Sequence, residues 1–131
     1  MNHQLTGHFT IGTRMPGAIT FTCALTLEGG HVVGIGALTQ AIHPALDIHT
    51  YLAGTSVSIL WGADDTQVIS LTGHTWSTPM PPNPVNVTCT MQLDSKTPGR
   101  GVASVRYLDA QGVWIPLENL PVHGQWQRAP E

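Results

Sequence analysis

The nine residues from Val85 to Leu93 read V-N-V-T-C-T-M-Q-L, with an apolar side chain at every second position. The stretch from Ile19 to Leu27, I-T-F-T-C-A-L-T-L, repeats this alternation and also has a cysteine at its centre. Strict alternation is typical of a β-strand with one face on a core and the other in water, whereas a helix would scatter these apolar residues around its circumference. Both segments therefore predict half-buried strands, with the threonines and Asn86 on the outer face.

Weaker alternation in the rest of the chain predicts further short strands. These runs lie at 5–11, 31–39, 46–52, 57–61, 67–72, 102–108, 113–117 and 123–127. In the second of them, Val33, Ile35 and Ala37 share one face. Between the strand at 19–27 and the run at 31–39, Glu28-Gly29-Gly30-His31 supplies the glycines that a tight hairpin turn requires.

The predicted fold is all-β, with about eight to ten short antiparallel strands in one domain that spans residues 1–131. No apolar stripe of helical period has a useful length. A single barrel is favoured over the alternative, a two-sheet β-sandwich. The reason is that a closed sheet hides strand edges, which this chain has few lysines or prolines within its strands to protect.

Charge and hydropathy exclude several classes of protein. The net charge is -3, and the five Lys and Arg residues are scattered, so the basic stripe of a nucleic-acid-binding protein is missing. No apolar run approaches the ~20 residues of a membrane helix. The chain begins without a basic region followed by an apolar stretch, which predicts a cytoplasmic protein or one exported by a leaderless route.

The two cysteines, Cys23 and Cys89, both fall on inward faces in this register. We expect two buried free thiols that act as small hydrophobic side chains. A disulfide is the alternative if their strands are neighbours. Neither cysteine belongs to a C-x-x-C pair, which disfavours redox catalysis and zinc-thiolate sites.

The densest polar cluster is the segment H-P-A-L-D-I-H-T-Y, in which His43 precedes a predicted strand that carries Asp47, His49 and Tyr51 on one face. An imidazole beside a carboxylate can act as a base, and His43, Asp47 and His49 are the residue types that ligate a catalytic metal. Their spacing matches no strong zinc motif, however. The favoured interpretation is a solvated strand face on which His and Asp pair, with no metal and no other cofactor.

Two apolar or aromatic features extend the set of candidate binding residues. Trp76 stands beside a histidine and just before a proline-rich loop, and an exposed tryptophan near hydroxyl and amide side chains is typical of carbohydrate sites. Ile59, Leu60 and Trp61 make one strand apolar on both faces. A loop or a second chain would then cover one of these faces, so oligomerisation through the three residues is predicted.

The stretch from Gly34 to Thr55, G-I-G-A-L-T-Q-A-I-H-P-A-L-D-I-H-T-Y-L-A-G-T, together with Ser70-Leu71-Thr72-Gly73, resembles a small bacterial family of unknown function. The resemblance implies a bacterial source and a small β-rich domain, similar to calycin-like or allene-oxide-cyclase-like barrels. It implies no catalytic residues.

The leading functional hypothesis is a non-enzymatic binding or interaction module whose partner is a protein, a glycan or a host surface. The binding residues would be His43, Asp47, His49, Tyr51 and Trp76. One alternative is a barrel enzyme or a carrier of a small apolar molecule, which requires an internal cavity. A core filled by Phe21, Leu25, Val87 and Met91 would argue against it. The other alternative is a structural, oligomer-forming subunit.

Overall fold

The computed structural model describes residues 4–13, 15–41, 45–61, 64–75, 84–94 and 100–128. It describes the side chains of all of these except residues 60, 61 and 64. The chain folds into eight strands: β1 Leu5–Ile11, β2 Thr20–Glu28, β3 His31–Gln40, β4 Leu46–Trp61, β5 Asp64–Thr75, β6 Val85–Asp94, β7 Arg100–Leu108 and β8 Trp114–Arg128. No helix among the described residues is long and apolar enough to cross a membrane.

The eight strands close into one antiparallel barrel in which each strand pairs with its neighbours in sequence. The barrel is closed by β1, which pairs with β2 on one side and β8 on the other, so that Phe9 lies opposite both Cys23 and Gly124. The all-β prediction and the preference for a barrel over a sandwich are confirmed.

Side chains that point into the barrel form a continuous apolar core. The strands with strict alternation supply its centre, because Phe21, Leu25, Val87 and Met91 are all at most 2% exposed. Phe9 packs edge-on against Trp126, with ring centroids 5.1 Å apart. These residues fill the barrel with aromatic and aliphatic side chains.

The predicted hairpin turn between β2 and β3 is present. Gly29 and Gly30 both have positive φ, at 59° and 82°, and Glu28 pairs with His31 across the turn. Two central residues of positive φ match the twist of the flanking strands, and glycine adopts that conformation without steric cost.

The predicted break between the runs 46–52 and 57–61 is wrong, because both belong to the single 16-residue strand β4. Gly54 lies inside this strand rather than ending it. A Cβ at this position would overlap the carbonyl oxygen of Ser70 on β5. The glycine therefore does not end the strand but allows two strands to approach closely, which is a common role of glycine within a sheet.

The runs 113–117 and 123–127 are likewise one strand, β8, of 15 residues. The register against β7 slips between Ala103 and Val105, where β8 carries an extra residue and Asn119 has a φ of 57°. This bulge lets one strand change direction without ending. The carbonyl of Pro121 accepts a hydrogen bond from the Gly12 amide, so the proline nitrogen faces away from β7 and removes no bond from that ladder.

A second bulge corrects the predicted orientation of Asn86. Gly73 pairs with Val87 and the next residue, His74, pairs with Val85, which leaves Asn86 as the extra residue on β6. Because a bulge redirects a side chain, Asn86 is only 7% exposed instead of standing in water on the outer face.

Candidate functional site

Asp47, His49 and Tyr51 lie on the outer face of β4, as the sequence pattern predicts, and all three are exposed. The Nε2 atom of His49 lies 3.0 Å from Oδ1 of Asp47. Their side chains are 48% and 65% exposed, so water screens the pair strongly. The pair is an open contact on the surface of the barrel.

The remaining two predicted binding residues, His43 and Trp76, lie outside the described residues. The exposed residues Asp47, His49 and Tyr51, which we call the β4 stripe, have cross-strand neighbours on the adjoining strands. Tyr51 pairs with Ile35 of β3 on one side and with His74 of β5 on the other. The outer face near the stripe is therefore apolar on the β3 side and carries an imidazole on the β5 side.

The register of the barrel extends this surface across four strands in two parallel rows. One row runs through the outward residues His8, Ala24, Ile35 and Tyr51, and the other through Thr10, Thr22, Ala37 and His49. On the two middle strands, β2 and β3, the rows carry three small side chains and one exposed aliphatic side chain, that of Ile35. Directly opposed pairs of this kind lie close enough to form one continuous surface.

These rows enclose an open depression of about 490 Å³ on the outer wall of the barrel. It is lined by His8, Phe9, Thr10, Thr22, Cys23, Ala24, Ile35, Gly36, Ala37 and His49. His8 and His49 come from strands β1 and β4, at opposite sides of the two rows, while the alanines lie between them. We call this feature the outer depression.

A glycine of β3 leaves room for large inward side chains of the neighbouring strands. A Cβ on Gly36 would lie 2.8 Å from the ring of Phe21 and 3.0 Å from Leu52. The large inward residues of the neighbouring strands occupy the space where a β3 side chain would otherwise lie. Ile35, the preceding residue, points to the opposite, outer face and is 46% exposed.

Sequence reasoning missed most of the outer depression because β1 and β2 supply half of its lining. Two signals pointed toward it. Val33, Ile35 and Ala37 share a face that the glycines mark as the outer one, and Ala24 is the one residue in the outward set Thr20, Thr22, Ala24 and Thr26 that has no hydroxyl. Neither signal reveals which strands become neighbours.

The cysteines are free and buried within the barrel. Burial raises the pKa of Cys23 to about 12, and a hydrogen bond from the Phe9 backbone opposes this only in part. Burial also raises the pKa of Cys89, and the nearby Cys23 raises it further. Both sulfurs therefore stay protonated at neutral pH, and a protonated thiol is a poor nucleophile and metal ligand. Strands β2 and β6 are not neighbours in the sheet.

The β4 stripe also contains residue types that ligate metal ions. Within the described ranges, no three His, Cys, Asp or Glu side chains lie together in an arrangement that could hold a metal ion. The pair of His49 and Asp47 alone offers two donors, fewer than the three protein ligands of a typical catalytic zinc site.

Fold and surface together define a small antiparallel β-barrel with a filled core and an open apolar depression on its outer wall. The chain belongs to the family described as domain of unknown function DUF1842, which it matches over residues 5–114. This match confirms the predicted membership of a family of unknown function. A search of curated proteins finds no match.

Proposed function

We propose that this chain is a non-enzymatic interaction module that binds a partner protein through the outer depression. The observation that carries the proposal is the lining of this depression, in which Ala24, Ile35 and Ala37 form an apolar centre on an outer barrel wall. Exposed apolar surface bordered by polar groups is typical of protein interaction sites. Here the polar border consists of two imidazoles and two threonine hydroxyls, those of His8, His49, Thr10 and Thr22.

The shape of the depression favours a protein partner over a small metabolite. Pockets for small molecules usually bury most of the surface of the ligand, whereas this depression is open to solvent along the barrel wall. An apolar side chain that projects from a larger partner needs only one face covered, because its own protein covers the rest. Tyr51 does not line the depression but lies directly opposite Ile35, which does, and at 51% exposure it extends the contact area beyond the depression itself.

The barrel interior also favours a protein partner over a small molecule as the ligand. A carrier or barrel enzyme requires an internal cavity of several hundred Å³. Phe21, Leu25, Val87 and Met91 are instead buried in one continuous core, which is the arrangement of a filled barrel. Burial also raises the pKa of both inward thiols and keeps them protonated, so neither is an activated nucleophile inside the barrel.

The proposal is tested by selecting a displayed peptide library on the immobilised protein and on two variants. Ala37→Arg places a long charged side chain in the depression. Ala53→Arg makes the same change on the outer face of β4, outside the depression, and is the matched control.

The expected result is enrichment of peptides with a large apolar residue on the wild type and on Ala53→Arg, with loss of the same peptides on Ala37→Arg. Lack of enrichment on the wild type, or equal enrichment on all three proteins, would contradict the proposal. A glycan array run in parallel gives the other informative result, because glycan binding that Ala37→Arg abolishes would replace the protein partner by a carbohydrate.

A further inference from the structure

Strand β4 extends past the end of β3 and leaves an open edge. Pairing between the two strands ends at His31 and Thr55, while the pairing of β4 with β5 continues to Trp61 and Asp64. Residues 57–61 therefore have β5 on one side and, among the described residues, no strand on the other. We call this five-residue segment the β4 edge.

The direction of the unpaired backbone groups follows from one hydrogen bond. The amide of Ser56 donates to the carbonyl of Gly30 at 2.9 Å, which places the backbone groups of Ser56 on the β3 side. Backbone groups alternate sides along a strand, so those of Ser58 and Leu60 face the same open side. The β4 edge thus presents two amides and two carbonyls to a further strand.

The chemistry of the edge does not oppose pairing. Residues 56–61 read S-V-S-I-L-W and contain no charge and no proline, which are the features that usually protect an exposed edge. Two outward side chains beside these backbone groups, Val57 and Ile59, are 56% and 39% exposed. The edge therefore combines main-chain groups that no strand among the described residues pairs with and apolar side chains.

We propose that the β4 edge pairs antiparallel with the β4 edge of a second copy of this chain, across a two-fold axis at Ile59. In this register Ser58 of each copy lies opposite Leu60 of the other. The backbone amide and carbonyl of Ser58 then exchange hydrogen bonds with those of Leu60 in the second copy. A shift of two residues would place Leu60 opposite Ser56, whose amide already binds Gly30. The uncharged edge meets its own copy without repulsion between like charges.

The interface is small, and this sets the strength of the dimer. Five residues per copy bury much less than the ~1,200 Å² that stable interfaces usually exceed. The dimer is therefore a weak one that forms at high protein concentration. It uses a part of β4 that does not line the outer depression, so this inference stands independently of the proposed binding function.

The first test uses cysteine cross-linking. At the proposed axis the two copies of residue 59 form a pair that is not hydrogen-bonded, with Cα atoms about 4.5 Å apart, which suits a disulfide. Ile59→Cys should give mostly disulfide-linked dimer when oxidised glutathione accepts the electrons. Val57→Cys is the matched control, because the two copies of residue 57 would lie about 13 Å apart along the strands. Equal cross-linking of both variants, or none of Ile59→Cys, would overturn the proposal.

The second test measures association without new cysteines. Sedimentation velocity of the wild type should show a rising fraction of dimer up to about 1 mM, the range of weak specific association. Ser58→Pro removes one open amide and should abolish the dimer, whereas Ser58→Ala keeps the amide and should retain it. A wild type that stays monomeric, or a Ser58→Pro variant that associates as before, would overturn the proposal.

Discussion

Thr50 donates a hydrogen bond of 2.8 Å from its Oγ1 to Oδ1 of Asn86, and both side chains are buried. The bond joins β4 to β6 across the intervening strand β5. The Nδ2 of Asn86 in turn donates to the carbonyl of His49 at 3.1 Å. The bulged residue on β6 therefore holds the backbone of β4 beneath the Asp47, His49 and Tyr51 stripe.

Replacing Thr50 by valine tests this link. Valine has nearly the same shape but no hydroxyl, so Oδ1 of Asn86 loses its donor within the core. We expect a loss of about 1–3 kcal/mol in the free energy of unfolding, measured by urea titration. Thr72→Val, on the exposed outer face of β5, is the control and should change stability by less than about 0.5 kcal/mol. Equal effects of the two substitutions would contradict a specific role for the buried bond.

Gly54→Ala tests the close approach of β4 and β5. The added Cβ overlaps the Ser70 carbonyl oxygen, and a backbone atom cannot move aside as a flexible side chain can. We expect a cost of about 3 kcal/mol or more, since strain in a packed sheet spreads to both strands. Ala53→Ser, an exposed change at the preceding position, should leave the urea midpoint nearly unchanged. A Gly54→Ala protein as stable as the wild type would show that the strands are not so closely spaced.

The buried thiols predict a loss of stability in alkaline solution. Burial raises the folded-state pKa of Cys23 from 9.0 to about 12, and burial also raises that of Cys89. Above pH 9 the unfolded chain releases protons that the folded chain keeps, so increasing pH favours unfolding until the folded pKa values are reached. Each thiol should lower the free energy of unfolding with a slope that is about half of 1.4 kcal/mol per pH unit at pH 9 and approaches that full value at higher pH.

Urea titrations at pH 8, 9 and 10 measure this slope. Cys89→Val removes one thiol, and its stability should fall less steeply with pH than that of the wild type, whatever its stability at pH 8. Identical slopes for the two proteins would mean that Cys89 is not shielded from water in the folded state.

Asp47→Asn tests whether the β4 stripe contributes to the stability of the barrel. The carboxylate lies 3.0 Å from His49, but both side chains are largely exposed, and such pairs contribute little to folding. The free energy of unfolding should change by less than about 0.5 kcal/mol in thermal or urea unfolding. A larger loss would show that the pair stabilises the barrel itself.

The fold was largely predictable because β2 and β6 alternate strictly, and a face that alternates Phe21, Cys23 and Leu25 has to be buried. The errors arose where a local signal has two meanings. Gly54 indicates a strand end as readily as a close approach, and only the position of Ser70 decides between them. Asn86 continues the outward alternation in sequence, but the extra residue on β6 turns it inward.

The candidate site was predictable only within one strand. Asp47, His49 and Tyr51 share a face because they are two residues apart, which any strand imposes. The outer depression depends on which strands pair and in which register, since His8 and His49 are 41 residues apart in the chain. Alternation within a strand shows which residues face outward but not which strands pair. Because several strands carry threonine and alanine on their outward faces, these residues do not distinguish one register from another.

The most direct measurement of the central claim is an NMR titration of the ¹⁵N-labelled protein with indole, the ring group of tryptophan. The amides of Thr22, Ala24, Ile35 and Ala37 should show the largest shifts and should saturate together, because an apolar ring would occupy the outer depression. Largest shifts at Cys89, Met91 and Val105 would place the binding site inside the barrel. That result, or the absence of any saturable shift, would contradict the account of a filled barrel that binds its partner on its outer wall.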